Sequence, residues 1–133
     1  MRALPRVLLA TDARKVDFAA MKTSGEWPDV DYRRTVLLED APTATPTRAP
    51  GTAQLVSYAN TRIVIEADAP DGGWVVLNDV WHPWWTAEVD GKPAPIDRAN
   101  VIFRAVATPP GKHRVEFIFR PFSGLMRQMS ALF

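Results

Sequence analysis

Cysteine is absent from these 133 residues. That excludes disulfides, cysteine zinc sites and a thiol nucleophile, and it leaves the compartment open, because many bacterial envelope proteins also lack cysteine. Histidine is scarce: only His82 and His113 offer imidazole, and no carboxylate stands at the spacing of a zinc or calcium loop. Neither a metal nor a cofactor is expected. No apolar run reaches the roughly 18 residues that cross a bilayer, and Met1-Arg2-Ala3-Leu4-Pro5 opens no signal peptide. The chain as it stands is expected to be soluble, and an extracytoplasmic location would need a delivering segment outside it. A large charge of one sign is also missing: 16 Lys and Arg against 15 Asp and Glu leave +1. With its arginines scattered singly among acids, the chain is expected to have no nucleic-acid partner. There is no glycine-rich phosphate loop and no Gly-x-Ser-x-Gly elbow, and Ser24, Ser57, Ser123 and Ser130 have no neighbouring base in sequence.

What is present is an ordinary globular balance, 47% apolar and 23% charged, with five tryptophans. A chain of this length buries about two thirds of its unfolded surface around one core, so one domain spanning 1–133 is expected. Arg6 to Ala10 reads as a short strand, Asp17 as the N-cap of a helical turn reaching Lys22, and Arg33 to Glu39 as a second strand. Together, 1–40 form a small N-terminal α/β piece. Residues 41–51 are rich in Pro and Thr with no large apolar side chain, so they read as a surface loop.

From 52 to 121 the pattern is that of strands. Ile63, Ile65, Ala67 and Ala69 alternate with polar positions, Val64 excepted, while Trp74 to Leu77 are apolar on both faces. Trp85, Ala87 and Val89 alternate with Thr86 and Glu88 before an Asp90-Gly91 hairpin. Val101 to Ala107 and Arg114 to Arg120 add two strands about Pro109-Pro110-Gly111-Lys112. Regular turn spacing predicts a mainly β fold, an antiparallel β-sandwich of Ig-like or jelly-roll-like kind. In 122–133 the period changes: Phe122, Leu125, Met126, Met129, Leu132 and Phe133 share a helical stripe. It predicts a C-terminal helix that either caps the sandwich or begins a membrane or interfacial helix.

An ordered set of features runs from Trp74 to Pro121: an apolar strand ending in Asn78-Asp79, then Trp81-His82-Pro83-Trp84-Trp85, then Val89-Asp90-Gly91-Lys92. Arg98-Ala99-Asn100, Phe103-Arg104-Ala105-Val106, Pro110-Gly111-Lys112-His113, Val115-Glu116-Phe117 and Arg120-Pro121 complete it. In this order the chain resembles the C-terminal region of YfhO-type bacterial membrane proteins, relatives of the GT-C glycosyltransferases. Ala3-Leu4-Pro5-Arg6 and Arg33 to Glu39 resemble the stretch that precedes that region. The resemblance implies a domain held outside the cytoplasm, tethered to the membrane, with the membrane helices of the same protein as partners. Catalytic acids of GT-C enzymes belong to loops between membrane helices, so the resemblance implies that this domain is not itself an enzyme. Many relatives carry a tyrosine and a Pro-Gly-Trp arrangement where Trp81 to Trp85 stand here; the departure lies at His82 and Trp84.

Three indoles within five residues cannot share one strand face. Trp85 is expected in the core and Trp84 on the opposite face, where it could stack on a sugar while His82, Trp81, Asn78 and Asp79 bond hydroxyls. The plain alternative is that Trp84 packs under a loop or against a partner. Arg98 and Arg104 are expected to clamp an acid across strands, or to contact a phosphate or uronate. A glycosidase pair drawn from Asp79, Glu88, Asp90 and Asp97 would need two carboxyls about 5 to 9 Å apart in a cleft, and turn and strand roles account for these acids better. Four functions follow in order: an accessory domain beside a membrane glycosyltransferase, contacting envelope glycan or a polyprenyl-linked sugar; a carbohydrate-binding module; a structural contact domain; and, distantly, a soluble hydrolase.

Overall fold

The structure, a computed structural model, describes residues 6–40 and 48–120. The predicted C-terminal helix of 122–133, most of the Pro/Thr-rich loop, and Ala3-Leu4-Pro5 lie outside the described residues. In chain order the elements are β1 (Val7–Ala10), β2 (Asp12–Lys15), α1 (Phe18–Ser24), β3 (Thr35–Leu38), β4 (Thr52–Tyr58) and β5 (Arg62–Ala69). There follow β6 (Gly73–Leu77), β7 (Trp85–Val89), β8 (Lys92–Ala94), β9 (Asp97–Ala99), β10 (Phe103–Thr108) and β11 (Gly111–Phe119). They form a β-sandwich: one sheet in the order β1-β6-β10-β9-β3-β2 and another in the order β4-β5-β11-β7-β8. All pairings are antiparallel except β2 with β3.

Period-two patterning fills the space between the sheets. Val7, Leu9, Val75, Leu77 and Val106 of the first sheet meet Ile63, Ile65, Ala67, Ala87, Val115 and Phe117 of the second. Burying one such side chain stabilises the fold by about 1.5 to 3 kcal/mol. The other face of the first sheet is also apolar and buried, through Leu8, Val36, Trp74, Val76 and Ala105, which is why β6 carries apolar residues at every position after its glycine.

The N-terminal α/β piece is built as a crossover. Asp17 caps α1 by accepting from the Ala20 amide at 3.2 Å, and Gly25 ends it in the left-handed region at φ 70. Phe18 and Met21 of α1 then cover Leu37 and Val101. This piece belongs to the first sheet, with β1 paired to β6 and β3 to β9.

The sequence reading departs from the structure at identifiable places. The strand expected from Val101 begins at Phe103, because Asn100 and Val101 turn at φ 48 and 75. A β-branched residue is strained there. Two bonds to Leu37 hold the turn: the Asn100 side chain accepts from the Leu37 amide and the Asn100 amide donates to the Leu37 carbonyl, both at 2.9 Å. Four strands were not foreseen, namely β2, β4, β8 and β9. β2 is charged, β8 carries Pro93 at a sheet edge, and β4 lacks strict alternation and contains a bulge between Leu55 and Ser57.

Candidate aromatic site at one end of the sandwich

The connection from β6 to β7, Asn78 to Trp84, passes from one sheet to the other and closes one end of the sandwich. Neighbouring segments pin it. The Asn78 amide donates to the Arg6 carbonyl at 2.8 Å, the Trp81 amide to the Ile102 carbonyl at 2.6 Å, and the Arg120 amide to the Trp84 carbonyl at 2.7 Å. His82 organises the turn into β7: its Nδ1 accepts from the Trp84 amide at 3.2 Å and its carbonyl from the Trp85 amide at 3.2 Å.

The three indoles do different jobs. Trp85, half-buried, packs on the inter-sheet core, with the Arg104 guanidinium 4.5 Å above its ring. Trp81 lies under the exposed Arg98 at 4.3 Å. Trp84 meets His82 edge-on at 5.3 Å and Phe119 at 6.2 Å. It is half-buried, and its Nε1 is enclosed without a hydrogen-bond partner among the described residues. Trp84 is therefore held within an aromatic cluster with His82 and Phe119.

Arg104 is the electrostatic centre of this end. It is 5% exposed, its Nε donates to the Val80 carbonyl at 3.1 Å, and its Nη1 is enclosed with no partner among the described residues. Burial pushes its pKa down, while Asp79 and Tyr58 oppose that. Asp79 accepts the Tyr58 hydroxyl at 2.8 Å, and that bond raises the Tyr58 pKa. Arg6 lies 4.6 Å over the Tyr58 ring. Among the described residues neither Arg98 nor Arg104 forms an ion pair. The acid clamp expected of them is replaced by stacking on Trp81 and Trp85, a contact worth about 0.5 to 2 kcal/mol.

Of the predicted site residues, the fold brings together Asn78, Asp79, Trp81, His82, Trp84 and Arg104, with Arg98 joining through Trp81. Sequence reasoning missed Val80 within the connection, and Arg6, Tyr58, Ile102 and Phe119, which come from separate segments. Only Phe119 had a signal, the alternation of β11. The other acids are dispersed: Asp90 bonds His113 beyond the far end of β7, Glu88 stands 3.8 Å from Arg120, and burial, with the charge of Asp40 adding to it, raises the pKa of Asp97. Among the described residues no three His, Cys, Asp or Glu side chains gather as metal ligands would.

Hollows also open on the faces of the two sheets. One of about 490 Å³ runs over β4, β5 and β11 beside Gln54, Glu66, Asp68, Lys112 and Arg114. Another of about 370 Å³ lies between Trp74 and Asp97 near Asp40. Comparison of the chain with family models, with curated proteins and with solved structures finds no match.

Proposed function

We propose that this is a non-catalytic extracytoplasmic accessory domain of a membrane-tethered, glycosyltransferase-like protein of the YfhO type, and that its aromatic end faces the membrane-embedded part. The observation that carries this reading is convergence. The described chain enters at Arg6 and leaves at Arg120, and both residues hydrogen-bond to the same β6–β7 connection that holds the tryptophans. Both ends of the described segment therefore lie at the aromatic end. The resemblance in the order of motifs from Trp74 to Pro121 supports the same family, and the dispersed acids support an accessory role over a catalytic one.

A carbohydrate-binding module is the second reading, favoured by Trp84 Nε1 and Arg104 Nη1, enclosed donors without an acceptor among the described residues. The packing of the Trp84 ring against His82 and Phe119 favours the docking role instead.

Fractionation of the cells that make the protein tests the first reading. The chain should be recovered with membranes and react, in intact cells, with an impermeant amine reagent at the exposed Lys112. Recovery in the soluble cytoplasm, shielded from that reagent, would contradict it.

A further inference from the structure

One large aromatic side chain stands outside the packing of the fold. Trp27 is 51% exposed and, among the described residues, belongs to none of the buried clusters, although Val30 and Tyr32 nearby in the chain pack with Phe18 and Met21 of α1. The segment that carries it is nevertheless held in place. The Gly25 amide donates to the Met21 carbonyl at 2.8 Å, the Glu26 amide to the Ser24 hydroxyl at 3.1 Å, and the Tyr32 hydroxyl to the Pro28 carbonyl at 2.6 Å. The Tyr32 ring meets the indole edge-on at 6.1 Å. An exposed indole on an anchored segment loses little freedom when a ligand stacks on it.

Trp27 lines a hollow of about 460 Å³, a size that accommodates a small ligand. Its other walls include Arg14 and Lys15 at the end of β2, Asp17 and Ser24 at the two ends of α1, and Glu26. Asp17 is committed to capping α1. Arg14, Lys15 and Glu26 are exposed and, among the described residues, form no ion pair. Two cations and two anions leave the hollow without net charge, so it does not select a phosphate or another strongly charged group. It offers donors from Arg14 and Lys15 and an acceptor from Glu26, beside a flat apolar ring. A pyranose has the matching chemistry, with hydroxyls that donate and accept around its rim and C–H bonds across its face. The match is best where the hydroxyls are equatorial, because both ring faces then present C–H bonds alone.

From these observations we infer that the hollow between Trp27 and the β2–α1 junction is a binding subsite for a neutral, gluco-configured pyranose. The sugar ring stacks on Trp27, Arg14 and Lys15 donate to its oxygens, and Glu26 accepts from a hydroxyl. The subsite shares no residue with the aromatic end, does not depend on the membrane-tethered reading, and puts glycan contact on a different tryptophan from Trp84.

The test is a calorimetric titration of the full chain with cellohexaose and with chitohexaose, two neutral oligosaccharides of equatorially substituted rings. Saturable binding of at least one is expected. Affinity should fall about tenfold in Trp27→Ala, and Trp27→Tyr, which keeps a flat ring, should recover most of it. Glu26→Ala, at an exposed position outside the core, should weaken binding about fivefold and keeps the test open if the Trp27→Ala chain does not fold. Trp84→Ala should bind like the unaltered chain. Absence of binding to both sugars, or undiminished binding by Trp27→Ala and Glu26→Ala, overturns the inference. A loss in Trp84→Ala that Trp27→Ala does not share also overturns it, and would move glycan contact to the aromatic end.

Discussion

The two ends of the sandwich solve opposite problems. At one end, a hairpin joins β7 to β8 and short connections carry the chain from one sheet to the other between β5 and β6 and between β10 and β11, with polar side chains bonding their backbones. Asp90 at φ 53 and Gly91 at φ 80 make the kind of turn that suits twisted strands. The Asp90 carboxylate accepts from the Arg114 amide at 2.8 Å and from His113 Nδ1 at 2.5 Å. The Asp71 carboxylate accepts from the Ala49 amide at 2.8 Å. None of the well-exposed large apolar side chains among the described residues belongs to this end. At the other end three indoles, a buried cation on β10 and a strained turn after β9 gather about a long connection, with Val80 and Ile102 left in water. The hairpin end closes its turns with local hydrogen bonds, whereas the aromatic end departs from local rules in several places at once. Such departures concentrate where a surface has a second purpose.

Substitutions should expose that asymmetry. The largest effect is expected near the hairpin end: a Cβ at Gly73 would lie 2.5 Å from the Ala10 carbonyl oxygen, in the backbone of β1. Gly73→Ala should cost about 3 kcal/mol in urea unfolding, whereas Val80→Asp at the aromatic end should stay within about 0.5 kcal/mol. Equal losses would break the comparison.

Trp84→Ala should cost about 2 kcal/mol, since the half-buried ring packs on Phe119 and His82. A change well below that, accompanied by loss of sugar-induced fluorescence quenching, would move the account toward a glycan platform. Arg104→Met keeps the stem on Trp85 and removes a buried cation without an ion-pair partner among the described residues. Its stability should therefore change by less than about 1 kcal/mol in either direction. A much larger loss would mean that the charge is compensated more fully than its described contacts provide.

The smallest effect is a pH dependence at the hairpin end. Both His113 nitrogens face acceptors, Asp90 and the Pro110 carbonyl, an arrangement that the protonated ring satisfies. The Asp90 bond raises the His113 pKa, and the His113 bond lowers that of Asp90. The histidine's contribution is complete below its unfolded value of 6.5 and fades as pH rises through the higher folded value; the aspartate's is complete above 3.8 and fades as pH falls through the lower one. The pair therefore supports the fold most between those two unfolded values. His113→Gln should lower the melting temperature more at pH 5 than at pH 9, and a difference that does not depend on pH would contradict the pairing.

The parts of this fold that sequence made legible are those governed by local periodicity. The alternation of β5, the two-faced apolar run of β6, the Asp90-Gly91 hairpin and the Asp17 cap follow from nearest-neighbour geometry, and each is found where it was read. β4 and β2 escaped because edge strands have little to bury and so carry no apolar alternation. Val101 misled because a β-branched residue normally marks a strand, whereas here the bonds of Asn100 to Leu37 hold it in a turn. Within the site, the Trp81 to Trp85 cluster was visible as composition, but its environment was not. Arg6, Tyr58, Ile102 and Phe119 reach it only once distant strands have paired, and Tyr58 meets Asp79 across 21 residues of chain.

The central claim is that the aromatic end, and not the hairpin end, faces the membrane. Because the chain has no cysteine, single cysteines can report on each end cleanly: Asn60→Cys in the turn after Tyr58, and Lys112→Cys beside the hairpins, both at exposed positions. The measurement is the rate of modification by an impermeant maleimide of each variant in the membranes of the cells that make the protein. The account predicts slow reaction at position 60, fast reaction at position 112, and equal rates once detergent is added. Equal rates before detergent, or protection at position 112, would contradict it.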